Sequence, residues 1–165
     1  MLNFSLTKSC CFFTHSYFPA ENSRSQKSQL LIHKNVVHHL RKTYRIELNE
    51  VKIGTTEFEF ADTPMGVIHG KINFENVESP YELFRNHCKK HNVQINDDEP
   101  KLRLIDTVVI PELKVYLENG TELNGWGGAI TGMDNEEYEI QFGGITSELM
   151  QTEFKHHYDE YFGAE

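Results

Sequence analysis

Two histidines four residues apart are the arrangement in this chain that most directly suggests chemistry. His87 and His91 lie in the segment HCKKH. If that segment is helical, the two side chains lie on one face, one turn apart. Two imidazoles at this spacing suit a transition metal such as zinc, which takes four ligands in proteins. A third ligand would come from His69, from His157 or from an acidic residue.

The same pair also has a purely structural interpretation. By helical phase, both histidines fall on the side of Phe84 and Cys88, toward the predicted core, where an imidazole can bond a backbone carbonyl. The segment is not the H-E-x-x-H metalloprotease motif, because Cys88 follows His87. Cys88 could act as a nucleophile with a histidine base, although a buried cysteine usually serves as a small apolar residue. No cofactor is predicted.

Four glycines lie within eight residues around Trp126, the chain's only tryptophan. The segment does not match the dinucleotide fingerprint, because Ile130 takes the place of the third glycine and no helix follows. It does not match the phosphate loop either, because Met133 replaces the lysine. The glycines therefore predict a bent or bulged strand. Trp126 is expected either to fill the core or to face a partner.

The charge is divided unevenly along the chain. Residues 1–50 carry a net +4, whereas residues 51–165 carry a net −13, which gives the total of −9. Beyond Leu117 there are eleven acidic residues and a single base, Lys155. Such a surface repels nucleic-acid phosphates and attracts basic proteins. The predicted partner is a basic protein, with no nucleic acid; a solvated acidic face is the plain alternative.

The elements that would position these residues are mostly strands. Alternation of apolar and polar residues predicts strands at 44–53 and 65–74. The segment TTEFEFAD at 55–62 also alternates and places Phe58 and Phe60 on one face. The polar segment at 95–100 is predicted to be a turn.

Helices are predicted from capping patterns. Ser79, Pro80 and Glu82 form a capping box with proline at the first helical position, which predicts a helix ending near Asn92. Apolar residues at helical spacing predict one helix over 147–162, and a short basic helix over 30–42.

The predicted fold class is α+β. A largely antiparallel sheet of about six or seven strands would be packed by two or three helices. Its C-terminal part would be a three-stranded meander, with a hairpin turn at Asn119–Gly120. Residues 1–28 lack apolar periodicity and predict a disordered or loosely attached extension, followed by one domain over residues 29–165.

Composition bears on location as well. The three cysteines suggest no disulfide framework, which favours a reducing, cytoplasmic setting. The chain has no apolar stretch long enough to span a membrane, so no membrane association is predicted.

Two hypotheses of function follow from these patterns. The first is a non-catalytic interaction domain that binds a basic partner; its size and acidity resemble those of small immunity and antitoxin-like proteins. Its contact residues would be Tyr116, Glu118, Trp126, Glu137, Glu139 and Gln141. The alternative is a small enzyme or metal- or ligand-binding domain, in which His69, His87 and His91 converge with Trp126 on one cleft.

Overall fold

The structure, a computed structural model, describes residues 42–163, which contain ten strands and three helices. The helices are α1 (Pro80–His91), α2 (Ser147–Thr152) and α3 (Lys155–Phe162). The strands are β1 (Tyr44–Leu48), β2 (Val51–Thr56), β3 (Phe60–Asp62), β4 (Val67–Lys71), β5 (Asn73–Phe74), β6 (Ile95–Glu99), β7 (Leu104–Thr107), β8 (Leu113–Tyr116), β9 (Gly127–Met133) and β10 (Tyr138–Gly143). The extension predicted over 1–28 and the helix predicted over 30–42 lie outside the described residues, apart from the last residue of that helix.

The strands form two antiparallel sheets, which confirms the α+β class. The four-stranded sheet has the order β5-β2-β1-β8, and the six-stranded sheet has the order β3-β4-β10-β9-β7-β6. Ten short strands replace the six or seven predicted, because several predicted runs are interrupted. No helix among the described residues is long and apolar enough to cross a membrane.

The first interruption is a tight hairpin. Asn49 and Glu50 both have positive φ angles, 51° and 64°, as the central residues of a type I′ turn do. This turn divides the predicted run 44–53 into β1 and β2, which pair antiparallel. Ile46 and Leu48 of β1 point into the core, in agreement with the alternation in the sequence.

A second interruption reverses the side chains of two phenylalanines. Phe58 has a φ of 48°, so the strand alternation is broken between β2 and β3. Phe58 is fully buried, whereas Phe60 is 52% exposed. The prediction that they share a face is therefore wrong, because regular alternation requires extended backbone at every residue.

The prediction of α1 is confirmed, whereas the prediction of a single helix over 147–162 is wrong in part. The Glu82 N–H donates to Ser79 Oγ over 3.1 Å, and α1 ends at His91 with Asn92 in the left-handed conformation. The single helix predicted over 147–162 is divided into α2 and α3 at Phe154. Phe154 is fully buried, and its ring lies 5.4 Å from that of Tyr44. The break between α2 and α3 therefore coincides with a contact in the core.

One prediction about the later strands is wrong, because the segment predicted as a turn at 95–100 contains β6, which pairs with β7. The predicted meander is present, but it passes from one sheet to the other. Residues 121–123 pair with β8, which also pairs with β1, whereas β9 pairs with β10 and β7. The Asn119–Gly120 turn does form, with the Leu117 N–H donating to the Thr121 carbonyl over 2.9 Å.

The two sheets pack closely where β8 passes β9. A Cβ atom added at Gly128 would lie 2.9 Å from Leu113 Cδ2 and 3.2 Å from Ile140 Cδ1. Since real Cβ atoms do not approach so closely, the spacing of the sheets here depends on the missing side chain.

An acidic network ties the start of α1 to the β9–β10 turn. Asp134 accepts hydrogen bonds from Ser79 Oγ, the Tyr81 N–H, Arg103 Nε and the Tyr138 hydroxyl, at 2.6 to 2.9 Å. Burial opposes ionisation, but the bonds from Ser79, Tyr81, Arg103 and Tyr138 together hold the pKa of Asp134 below its usual value. The Asp134 side chain is only 11% exposed, and it caps the start of α1 through the Tyr81 N–H.

Replacing Gly128 by valine should destabilise the protein by about 1–3 kcal/mol, because the new side chain overpacks the space between the sheets. Urea unfolding at pH 7 measures this difference. Ala129→Val is the matched control, since Ala129 lies on the opposite side of β9; it should change stability by less than about 0.5 kcal/mol. Equal unfolding midpoints for the two variants would contradict the packing argument.

Asp134→Asn should destabilise the protein by about 2 kcal/mol at pH 7, since hydrogen bonds to a charged group are lost. The folded pKa lies below the unfolded value of about 3.9, so this stability is present above that value and disappears as pH falls through the folded pKa. The difference in unfolding free energy between wild type and Asp134→Asn should stay constant down to about pH 5 and decrease below about pH 4.

Asp159→Asn is the control for this pH series. Asp159 forms an exposed pair with Lys155, which should contribute less than about 1 kcal/mol. A difference between wild type and Asp134→Asn that does not vary with pH would show that the ionised carboxylate is not responsible.

Candidate functional site

The six-stranded sheet has one face on the core and one face away from it, which we call the outer face. On β10, Tyr138, Ile140 and Phe142 are buried, whereas Glu139 and Gln141 alternate with them and point outward. The strand register extends this division to the neighbouring strands, because directly paired residues point to the same side.

One row of the outer face is strongly polar. Cross-strand pairs join Asp97 to Asp106, Asp106 to Thr131, Thr131 to Glu139, and Glu139 to Lys71. The row therefore crosses five strands with three carboxylates and one lysine. Lys71 is the only Lys or Arg in the row, and it also forms an ion pair with Glu137 at the start of β10.

Two carboxylates in this row have no partner among residues 42–163. Asp97 and Asp106 are directly opposite each other on β6 and β7. Neither side chain forms a hydrogen bond or an ion pair with another residue in the described part of the chain, although Asp106 is partly buried. Like charges that face each other across strands destabilise a sheet, so this position would gain from a cation supplied by a partner.

The next row along the strands is more apolar. It runs from Ala129 through Gln141 and His69 to Phe60. The rings of Phe60 and His69 are stacked, with centroids 5.3 Å apart. Phe60 lies at the Lys71 end of the polar row, with Asp62 two positions further along β3, whereas Asp97 and Asp106 lie at the other end of the row.

Trp126 lies at the end of this face and is held there by its backbone. The Trp126 N–H donates to the Gly143 carbonyl over 2.7 Å. A Cβ atom added at Gly144 would lie 2.7 Å from Trp126 Cδ1, and one added at Gly143 would lie 3.1 Å from its Cε3. The indole therefore rests on the bare backbone of two glycines, and it is 72% exposed. Of the two expectations, filling the core is wrong.

The predicted contact residues divide between the two sheets. Glu139 and Gln141 lie on the outer face, with Trp126 and Glu137 at its margins. Tyr116 belongs to the four-stranded sheet, where Arg45 lies over its ring at 4.7 Å, and Glu118 follows it in the hairpin loop. These six residues do not form one surface, because β8 and β9 belong to different sheets.

A second group of side chains gathers at the end of α1. His87, His91 and Glu112 each offer a ligand atom, and these atoms lie within 4.8 Å of one another. The imidazole rings are stacked with centroids 4.4 Å apart. His87 Nε2 lies 3.2 Å from Glu112 Oε2, and His91 Nδ1 lies 3.7 Å from Glu112 Oε1.

Burial and charge set the protonation of this group. Burial lowers the pKa of His87, against the opposing effect of its hydrogen bond to Glu112. Burial acts to raise the pKa of Glu112, but hydrogen bonds and the neighbouring histidines bring it below its usual value. Burial raises the pKa of the Cys88 thiol to about 11, so this thiol is not activated as a nucleophile or metal ligand.

The predicted convergence of all three histidines does not occur. His69 lies on the outer face of β4, whereas α1 packs on the opposite side of the six-stranded sheet, where Phe84 meets Tyr138. Glu112 takes the place proposed for His69 beside His87 and His91. His69 instead lines a separate open cavity of about 510 Å³ with Phe60 and His157, and Trp126 does not line that cavity.

Sequence reasoning missed three of the residues described above. Glu112 lies 21 residues after His91 in the sequence, so no local spacing indicates that its side chain lies beside the two histidines. Asp97 and Asp106 were missed because the segment containing Asp97 was predicted to be a turn. Its sequence, INDDE, has Ile95 as its single apolar residue, so no apolar–polar alternation indicated the strand.

Comparison with known proteins found no matching family model, no matching curated protein and no matching solved structure.

The exposure and charge around Trp126 can be tested by fluorescence quenching, since this is the only tryptophan. Acrylamide should quench the emission efficiently, because the indole is exposed. Relative to a free tryptophan analogue at equal ionic strength, quenching by caesium should be enhanced and quenching by iodide reduced, because the net charge of −13 on residues 51–165 concentrates cations and repels anions. Added salt should reduce the difference between quenching by caesium and quenching by iodide, because it screens the protein charge.

Gly144→Ala is the structural control for this measurement. Gly144 has a φ of 79° and contacts the indole, so the added methyl should displace the ring and change its emission. Enhanced quenching by iodide and reduced quenching by caesium, each relative to the free tryptophan analogue, would contradict the electrostatic description. An emission spectrum typical of a buried indole would contradict the exposure.

Proposed function

We propose that this protein is a non-catalytic interaction domain that binds a basic segment of another protein on the outer face of its six-stranded sheet. The observation that carries the proposal is Trp126, an exposed indole held in place by its backbone and by two glycines. A large aromatic side chain that is already ordered loses little conformational entropy when it binds. Tryptophan is also among the residues that contribute most to binding energy at protein interfaces.

The charge of the outer face supports a cationic ligand. The strand positions that point outward include Asp62, Asp97, Asp106 and Glu139, against Lys71 alone. Asp97 and Asp106 repel each other in the free protein, and an arginine or lysine placed between them would relieve that repulsion. Nucleic-acid phosphates would instead increase it.

The aromatic residues complement this charge. Arginine and lysine bind over the faces of aromatic rings as well as to carboxylates, and Phe60 and Trp126 are both exposed at the outer face. A basic toxin bound by an immunity- or antitoxin-like protein would be one partner of this chemistry.

A defined arginine-rich peptide tests the proposal directly. It should bind with an affinity that falls as salt is raised, and binding should change the fluorescence of Trp126. Asp106→Asn and Glu139→Gln should each weaken binding by roughly two- to fivefold and reduce its salt dependence. Trp126→Ala should weaken it by roughly tenfold or more, measured by anisotropy of a labelled peptide.

Matched controls distinguish this face from general attraction to an acidic protein. Glu118→Gln removes the same charge from the hairpin beside the other sheet, and Val51→Ala removes an exposed apolar side chain from the four-stranded sheet; both should leave affinity unchanged. A loss with Glu118→Gln equal to that with Asp106→Asn would show that the outer face is not the binding site. Binding without any change in Trp126 fluorescence would lead to the same conclusion.

A further inference from the structure

We infer that His87, His91 and Glu112 form a zinc-binding site that ties the end of α1 to the segment preceding β8. This inference is independent of the proposed function, because the cluster and the outer face share no residue. The three side chains come from two separate parts of the chain, and the fold brings their ligand atoms within 4.8 Å of one another. Tetrahedral zinc with bonds of about 2.0–2.2 Å holds its ligand atoms roughly 3.4 Å apart, so the three side chains would move together by about an ångström on binding.

The ligand types favour zinc over the alkaline-earth ions. Two imidazole nitrogens and one carboxylate oxygen are a common set for zinc, with water as the fourth ligand. Calcium and magnesium prefer oxygen ligands throughout. Glu112 is about one third exposed, so an ion and its water have access from solvent, whereas His87 behind it is almost fully buried.

The hydrogen bonding of His91 points to a missing ligand. Its Nδ1 is 3.7 Å from Glu112, too far for a hydrogen bond, and its Nε2 is buried without a partner in the described residues. A neutral imidazole has one lone pair and one N–H, and in this arrangement neither is used within the described part of the chain. A metal ion would bind the lone pair of the His91 imidazole, which no donor among the described residues reaches.

The neighbours of His87 are suited to a metal ligand. Its Nδ1 lies 3.3 Å from the side-chain amide of Asn49. An amide presents either a donor or an acceptor at this position by rotating through 180°. Metal bound at Nε2 would leave Nδ1 protonated, and the Asn49 oxygen could then accept that proton's hydrogen bond, as partners of ligating histidines commonly do.

Charges near the cluster act in both directions, since Glu112 and the C-terminal end of α1 favour a cation and Lys89 and Lys90 oppose it. His87 and His91 lie in the last two turns of α1, where unpaired carbonyl groups give a helix its negative end. The backbone further joins the site to the β1–β2 turn, because the Asn49 N–H donates to the Glu112 carbonyl over 3.2 Å. Zinc would thus join α1, the β1–β2 turn and the start of β8, and its expected role is to stabilise the fold.

The experiment compares zinc binding by the full-length wild-type protein with that of two variants, His91→Ala and Glu112→Gln. Comparison is required because the full chain also contains His38, His39, Cys10 and Cys11, which can bind metal on their own. Calorimetry and metal analysis should show one more Zn²⁺ per chain in wild type than in either variant. His69→Ala is the matched histidine control and should bind as many ions as wild type.

Two further measurements decide the outcome. Zn²⁺ should raise the unfolding temperature of wild type and of His69→Ala by several degrees, and that of the two site variants by much less. Co²⁺ should give wild type a visible absorption band for tetrahedral coordination that His91→Ala lacks. Equal zinc stoichiometry and equal thermal shifts in wild type and both site variants would overturn the inference. His91 and Glu112 are partly exposed, and circular dichroism of each variant verifies its folding.

Discussion

The passage of the chain from one sheet to the other, between Leu123 and Gly128, is the constraint on which the arrangement of the site depends. Leu123 is still bonded to Val115 of the four-stranded sheet, whereas Gly128 already accepts a hydrogen bond from Ile110 beside the six-stranded sheet. The sheets touch at Gly128, so this crossing offers no space for a large side chain in the core. Trp126, in the middle of the crossing, must therefore lie outside.

The fold class could be predicted from the sequence, but the division into two sheets could not. Local patterns suffice for α1, since Ser79 and Pro80 act within one turn of the helix. They fail at Asn49, Glu50 and Phe58, where positive φ angles interrupt the alternation although none of these residues is glycine. They also fail at β8 and β9, because the pairing partner of β8 is β1, about 70 positions earlier in the chain.

The candidate sites show the same limit. The spacing of His87 and His91 predicts their common face, because both lie on one helix. The position of Glu112 beside them depends on how α1 packs relative to β8. Local sequence patterns do not predict that packing. Glu139 and Gln141 were found by alternation within β10. Asp106 and Asp97 join them only through the register of β9, β7 and β6.

The two sites place different demands on the same sheet. The proposed binding at the outer face uses Asp97 and Asp106, which have no partner among the described residues and whose mutual repulsion costs stability. The cluster at the end of α1 lies on the core side, among elements that pack against the inner face of that sheet. Zinc there would add stability without neutralising any carboxylate of the outer face. Zinc bound at the end of α1 would therefore offset part of the stability that the repulsion between Asp97 and Asp106 costs.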